Sequence, residues 1–467
     1  MSSSSRDLCF LTIREVNELF GSRQLSPVAL TQAHLERIEE LDGRLKSFVT
    51  LLPEQALARA RIAETEIMRG NARGPLHGIP FALKDLYDTE GITTEAHSKV
   101  LEGRVPSKDA TVVARLNQAG AVLLGKQAMG EFAVGSLKTK LYDRPRNPWN
   151  LDYDTGGSSS GSAAGVAAGL CMGALGTDTG GSIRGPASYC GIVGLKPTYG
   201  RVSRHGIIPL SWSLDHCGPM TRTVEDAAFM LQVIAGFDSE DPTSDNAPVP
   251  NYVAALNQGV KGIVIGVPRH FFVRPDAGVR PDVLSAVEKA LVELEGLGAK
   301  LEEVTIPSLD YFRTSHTTIL LTEAFAYHRE NLQGRPKDYA DVTWNHLSSG
   351  ARFTAAEFEQ AQCVRSKLSK EFSQVLQSVD VLAMPTTPKT APPILEMDPV
   401  VPLEVHSLRA AFNMTGVPAI TIPCGFSESG LPIGLQLGGR PFDESSLLRV
   451  AHAYELRARW VERQPRL

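Results

Sequence analysis

Between positions 156 and 187 the chain reads GGSSSGSAAGVAAGLCMGALGTDTGGSIRGPA, a run of small residues almost without charge. No other stretch constrains the fold as tightly. Glycine opens backbone conformations closed to other residues and lets a neighbouring chain or a ligand approach closely. The run holds two serine clusters, Ser158-Ser159-Ser160 and the lone Ser182. Gly161, Gly165, Gly169 and Gly173 recur every four residues between them. A helix through these positions carries one smooth glycine stripe suited to tight packing. That periodicity argues against a flexible Gly/Ser linker, and the polar flanks argue against a pair of membrane helices.

The surrounding composition, 42% apolar and 21% charged, is that of a globular protein with a large core. The net charge of −5 and the lack of a dense Lys/Arg run argue against a nucleic-acid groove or an anionic-membrane patch. Neither nucleic acid nor membrane is therefore expected as a partner. No apolar run reaches about 18 residues and no basic, apolar leader opens the chain, so the expected location is cytoplasmic. Six cysteines without a CxxC pair fit reduced thiols. Eleven scattered histidines offer no HExxH, so no metal and no cofactor are expected.

Along the chain, helical patterns fill 11–70, opened by a capping box at Thr12 and Glu15 and by Ser26-Pro27. Short apolar runs at 78–85, 121–124, 263–267, 301–306, 379–384, 417–423 and 433–437 predict strands, and 193–200 reads as a strand edge and turn. Helices are expected at 110–119, 223–235, 281–297, over most of 310–378 and from 444 onward. A Pro-rich loop is expected at 385–402. The segment 120–126, GAVLLGK, approaches a phosphate loop, but Gln127 replaces its Ser/Thr and strand formers fill its interior. Length suggests two or three domains, yet no linker divides the chain. The expectation is one α/β domain, 1–467, with a mixed, twisted central sheet covered by helices on both faces. Within it, 11–70 forms a helical layer, 74–235 the catalytic core, and 310–400 a variable substrate-pocket region.

A serine hydroxyl needs an adjacent base to become nucleophilic, and its tetrahedral intermediate needs donors aimed at the oxyanion. Thr179-Gly180-Gly181-Ser182 offers a serine beside glycines whose N–H groups can converge. Residues 157–161, GSSSG, also fit the nucleophile elbow of an α/β-hydrolase with Ser159 attacking. That elbow needs an apolar strand before it, whereas 150–155, NLDYDT, is polar, and no histidine completes a triad. Lys84 ends the apolar run PFALK, where desolvation would lower its pKa. A surface pair of Lys84 with Asp85 fits that position equally well.

The whole of 156–187 resembles the amidase-signature family. The likeness continues through GIPFALKD (78–85), GLKPTYGRVS (194–203), DHCGPMTRTVEDAA (215–228), TGVPAITIPCGF (415–426) and GLPIGLQLGGRPFDE (430–444). The resemblance implies a Ser–cis-Ser–Lys triad: Ser182 as acyl-ester nucleophile, Ser158 as relay serine after a cis peptide, and Lys84 as base. It further implies an oxyanion hole from the N–H groups of Thr179, Gly180, Gly181 and Ser182, with Asp178 and Arg184 bracing the turn. Met129, Ala133 and Ser159 are candidate substrate contacts. The family's usual GKTNMDEF reads GKQAMGEF here, and Ala128 in place of asparagine is expected to alter the approach to the site.

The leading expectation is a free-standing amidase acting on linear amides, with a small-molecule amide or carbamate as partner and a homodimer as a candidate assembly. A carbamate (urethane) or aryl-amide hydrolase would use the same triad. The A subunit of an amidotransferase, delivering ammonia in a tRNA-dependent complex, is the third reading. The arginine-rich segment of that subunit is not recognisable in WNHLSSGARFTAAEF, which argues against it.

Overall fold

Strands of four to eight residues, most of them apolar, pair edge to edge, and longer amphipathic runs wind over them. The computed structural model describes residues 8–396 and 407–467. Its strands are β1 (Phe48–Leu51), β2 (Pro80–Lys84), β3 (Val122–Gln127), β4 (Gly173–Asp178), β5 (Val193–Lys196), β6 (His216–Thr221), β7 (Val264–Val267), β8 (Lys300–Glu303), β9 (Val381–Pro385), β10 (Ala419–Phe426) and β11 (Pro432–Gly439). Among the described residues they form one 11-stranded sheet, in the order β1-β3-β2-β4-β6-β5-β10-β11-β9-β7-β8. The β3-β2-β4 trio is parallel, as is β9-β7-β8, while the pairs between β4 and β9 are antiparallel. The fold is thus a single large α/β domain with a mixed sheet. Every residue of β2 and β4 is buried, as expected of parallel strands covered on both faces.

Local signals hold where they are self-contained. Thr12 and Glu15 form the capping box of helix Ile13–Gly21, and Ser26 caps helix Pro27–Leu45. The 310–378 region folds as helices Leu309–Gly334, Asp341–Ser349 and Ala355–Ser378. The last part of the loop expected at 385–402, and of the region 310–400, lies outside the described residues from 397 on. The stretch 11–70 also contains β1, which pairs antiparallel with β3 and interrupts its helices. No described helix is long and apolar enough to cross a membrane.

The continuous glycine-striped helix is corrected. The helix runs only over Ser160–Ala167, Gly169 adopts φ +70°, and Gly173 opens β4 in the middle of the sheet. The four-residue spacing has a separate cause at each site. Gly161 brings the helix against the Ala128 backbone, where an added Cβ would lie 2.7 Å from its N and O. Gly169 makes the left-handed turn out of the helix, a conformation open to glycine. Gly173 packs beneath Met230. Strand β6 (HCGPMT) escaped the sequence reading because Gly218 and Pro219 read as punctuation. Both faces of this strand are covered, and it pairs along its whole length with β4.

Candidate active site

Lys84 closes β2, and Thr177 lies at the equivalent end of the adjacent parallel strand β4. In open α/β sheets the crevice beyond the carboxyl ends of parallel strands is where ligands bind. The Lys84 side chain is fully buried, with Nζ 2.7 Å from both Ser158 Oγ and Thr177 Oγ1. Burial pulls its pKa down from 10.5 to about 7, against smaller upward pulls from Asp215 and Asp178. A neutral amine is therefore well populated near neutral pH, as a general base requires. The surface pair of Lys84 with Asp85 does not form. Asp85 is buried and faces Lys126, with Oδ1 3.9 Å from Nζ.

Ser158 follows a cis peptide bond from Gly157, and its carbonyl accepts the Gly130 N–H at 2.9 Å. Ser182 stands half-buried in the turn between β4 and helix Arg184–Cys190. The two serine clusters meet through the backbone, where the Ser159 N–H donates to the Ser182 carbonyl at 3.2 Å. Among the described residues no hydrogen bond joins the Ser158 and Ser182 hydroxyls. Catalytic hydrogen bonds are commonly long before substrate arrives.

The turn from 178 to 184 is built around the Asp178 carboxylate. It accepts the Gly181 N–H at 2.8 Å, the Ile183 N–H at 3.1 Å and both Nε and an Nη of Arg184 at 3.0 and 2.9 Å. Asn413 adds a donor at 2.9 Å. Burial opposes ionisation of Asp178, but Arg184, Lys196 and Asn413 outweigh it and hold the carboxyl well below the usual range. One expected oxyanion donor is thereby corrected: the Gly181 N–H is committed to Asp178. The N–H groups of Thr179, Gly180 and Ser182 have no protein acceptor among the described residues. They remain open to a substrate oxygen.

Two expected substrate contacts are also corrected. Ser159 is fully buried, with its hydroxyl 3.3 Å from both the carbonyl and the N–H of Thr177, so it braces the end of β4. Met129 is wholly enclosed in the core. Ala133 does border a cleft, with Leu86, Ile208 and Trp212, beside Thr177 and Asp215. Ala128 is buried, and its backbone rather than its side chain matters: its carbonyl accepts from the Gly161 N–H at 2.8 Å. Sequence reasoning missed Thr177, Asp215, His316 and Asn413. Asp215 accepts the Thr179 hydroxyl at 2.6 Å, and His316 Nε2 lies 2.9 Å from the Thr179 carbonyl. Asp215 fell inside a segment carrying the family resemblance. Thr177 did too, within 156–187, whereas His316 and Asn413 sit where only folding gives them a partner.

The amidase family model matches residues 29–448. The A subunit of the glutamyl-tRNA(Gln) amidotransferase of Moorella thermoacetica is 42% identical over 487 aligned positions, covering 99% of each chain. Among solved structures, a chain from the vestigial protein complex that reveals the evolutionary origins of an s-triazine catabolic enzyme superposes with a TM-score of 0.91. It is 34% identical, over 96% of this chain and 98% of that one. The native peptide amidase of Stenotrophomonas maltophilia superposes at 0.85 and 34% identity, over 97% of this chain and 98% of its own. The chain belongs to the amidase-signature family. The expectation of a purely small-molecule protein with no nucleic acid among its partners is overturned by the first of these relatives, which is named for a tRNA substrate and as one subunit of an assembly. A single unrecognised segment near 340–365 weighs less than identity sustained along the whole chain.

Proposed function

We propose that this amidase-signature chain is the amide-cleaving subunit of a tRNA-dependent amidotransferase, releasing ammonia from a primary carboxamide such as glutamine. The observation that carries the chemistry is the buried Lys84 Nζ at 2.7 Å from Ser158 Oγ, with its pKa brought to about 7. Lys84 takes a proton through Ser158 as Ser182 Oγ attacks the carbonyl carbon. The oxyanion settles on the N–H groups of Thr179, Gly180 and Ser182, a type of contact worth about 3 kcal/mol per donor. As the C–N bond breaks, the relay returns the proton to the leaving nitrogen, because an amide anion leaves poorly. Water then cleaves the acyl-enzyme. Asp178 and Arg184 hold the turn through their buried ion pair.

The transferase part of this reading is supported by the 42% identity to an amidotransferase A subunit over essentially the full length of both chains. On this reading the protein works in the cytoplasm with aminoacyl-tRNA, on an assembly with other subunits. A second reading, a free-standing amidase, aryl-amidase or carbamate hydrolase with the same triad, is favoured by the superposition on peptide amidase and by the missing arginine-rich segment.

The deciding experiment measures ammonia release from glutamine by the chain alone and with its co-purifying subunits and glutamyl-tRNA(Gln). Release that depends on those partners is expected. Rapid hydrolysis of aliphatic amides, anilides, carbamates or peptide amides by the homogeneous chain would overturn the transferase reading in favour of the second.

A further inference from the structure

The peptide groups of the 178–182 turn are each held from one side. In a trans peptide the carbonyl and the N–H point in opposite directions, so fixing one aims the other. The Asp178 carbonyl, which shares its peptide with the Thr179 N–H, accepts Asn413 Nδ2 at 2.9 Å. The Gly181 carbonyl, paired with the Ser182 N–H, accepts the Gly185 N–H at 2.7 Å. The intervening Gly180–Gly181 peptide is committed by its N–H to Asp178, and Gly181 takes φ +117° in doing so.

The remaining peptide, Thr179–Gly180, is anchored by a side chain from the long helix Leu309–Gly334: the His316 ring, Nε2 2.9 Å from the Thr179 carbonyl. A carbonyl oxygen only accepts, so this contact fixes His316 as the tautomer that carries its proton on Nε2. The ring also occupies the space over Gly180, where an added Cβ would lie 2.8 Å from Cε1. His316 is buried, and burial holds its pKa below the ordinary 6.5, keeping the ring neutral at working pH.

We propose that His316 is a positioning residue which, by gripping the Thr179 carbonyl, aims the Gly180 N–H at the oxygen of the reacting group. It touches neither substrate nor the attacking serine. This inference rests on Ser182 being the nucleophile, and the test separates the two ideas.

The probe is a fluorophosphonate, whose P=O oxygen needs the same donors as an amide carbonyl. Two variants share one shape: His316→Gln keeps an N–H donor, and His316→Met lacks it. The second-order rate of Ser182 labelling is expected to fall at least tenfold in His316→Met. It should stay within about threefold of the parent in His316→Gln, at unchanged melting temperature and probe half-saturation; loss of a whole donor costs about 100- to 1000-fold. Equal labelling rates in both variants and the parent would overturn the positioning role alone. So would equal slowing in both, which would mark a packing role. Absence of label from Ser182 in the parent would overturn the nucleophile assignment and this inference with it.

Discussion

Replacing the buried base with an apolar side chain of similar length should stabilise the fold while silencing the site. In the unfolded chain Lys84 keeps its proton up to about pH 10.5, whereas in the folded protein burial releases it near pH 7. Between those values the unfolded state binds the extra proton, so stability rises with pH across this window and the full cost of burial is felt below about pH 7. At pH 7 the gap amounts to about 4 kcal/mol, at roughly 1.4 kcal/mol per pH unit. Lys84→Met removes that cost. It also removes two hydrogen bonds, to Ser158 and Thr177, at about 1 kcal/mol each. The net expectation is a variant about 2 kcal/mol more stable than the parent at pH 7. The advantage should shrink as pH rises and reverse near about pH 9, leaving the variant about 1 kcal/mol less stable at pH 10, where the unfolded amine approaches its own pKa. Urea unfolding of both proteins at pH 7 and pH 10 measures this directly. A Lys84→Met protein less stable than the parent by the same amount at both pH values would mean that Lys84 is not neutralised by folding, and the base assignment would fall. The parent's Ser182 labelling rate should rise with pH through about 7 on the same grounds.

Ser182→Ala should abolish amide turnover and fluorophosphonate labelling together. Peptide mapping that found the label on Ser159 instead would overturn the nucleophile assignment, although Ser159 is enclosed in the structure. Arg184→Met should destabilise the protein by about 3–5 kcal/mol, because it leaves the wholly buried Asp178 carboxylate without its main cation. A loss below about 1 kcal/mol in denaturant unfolding would show that Asn413 and the turn amides suffice to hold that charge.

The expectation about partners failed for a definable reason. Net charge and the spacing of basic residues describe the surface of one chain. They do not describe a basic groove that folding or another subunit assembles. Identity along the full length of an amidotransferase A subunit bears on assembly in a way that composition does not.

Features under local control could be read along the chain. The capping box at Thr12 and Glu15, the cap at Ser26, the α/β alternation and the lysine closing an apolar strand all follow from backbone and side-chain preferences within a few residues. The proposed division of roles between two serine clusters that composition treats alike comes from the family resemblance. The tertiary structure alone decided what depends on residues distant in the chain. It cut the glycine stripe into a short helix, a left-handed turn and a central strand, because each glycine answers to a different neighbour. It took the Gly181 N–H for Asp178 and turned Ser159 inward. It also brought Asn413 and His316 to the small-residue run from two helices far along the chain. A hydrogen bond between residues more than a hundred positions apart leaves no periodicity to read. The Gly/Ser run between 156 and 187 carries both serines and the Asp178 that holds the Gly181 N–H, but the lysine and the Asn413 and His316 side chains that grip its carbonyls come from elsewhere.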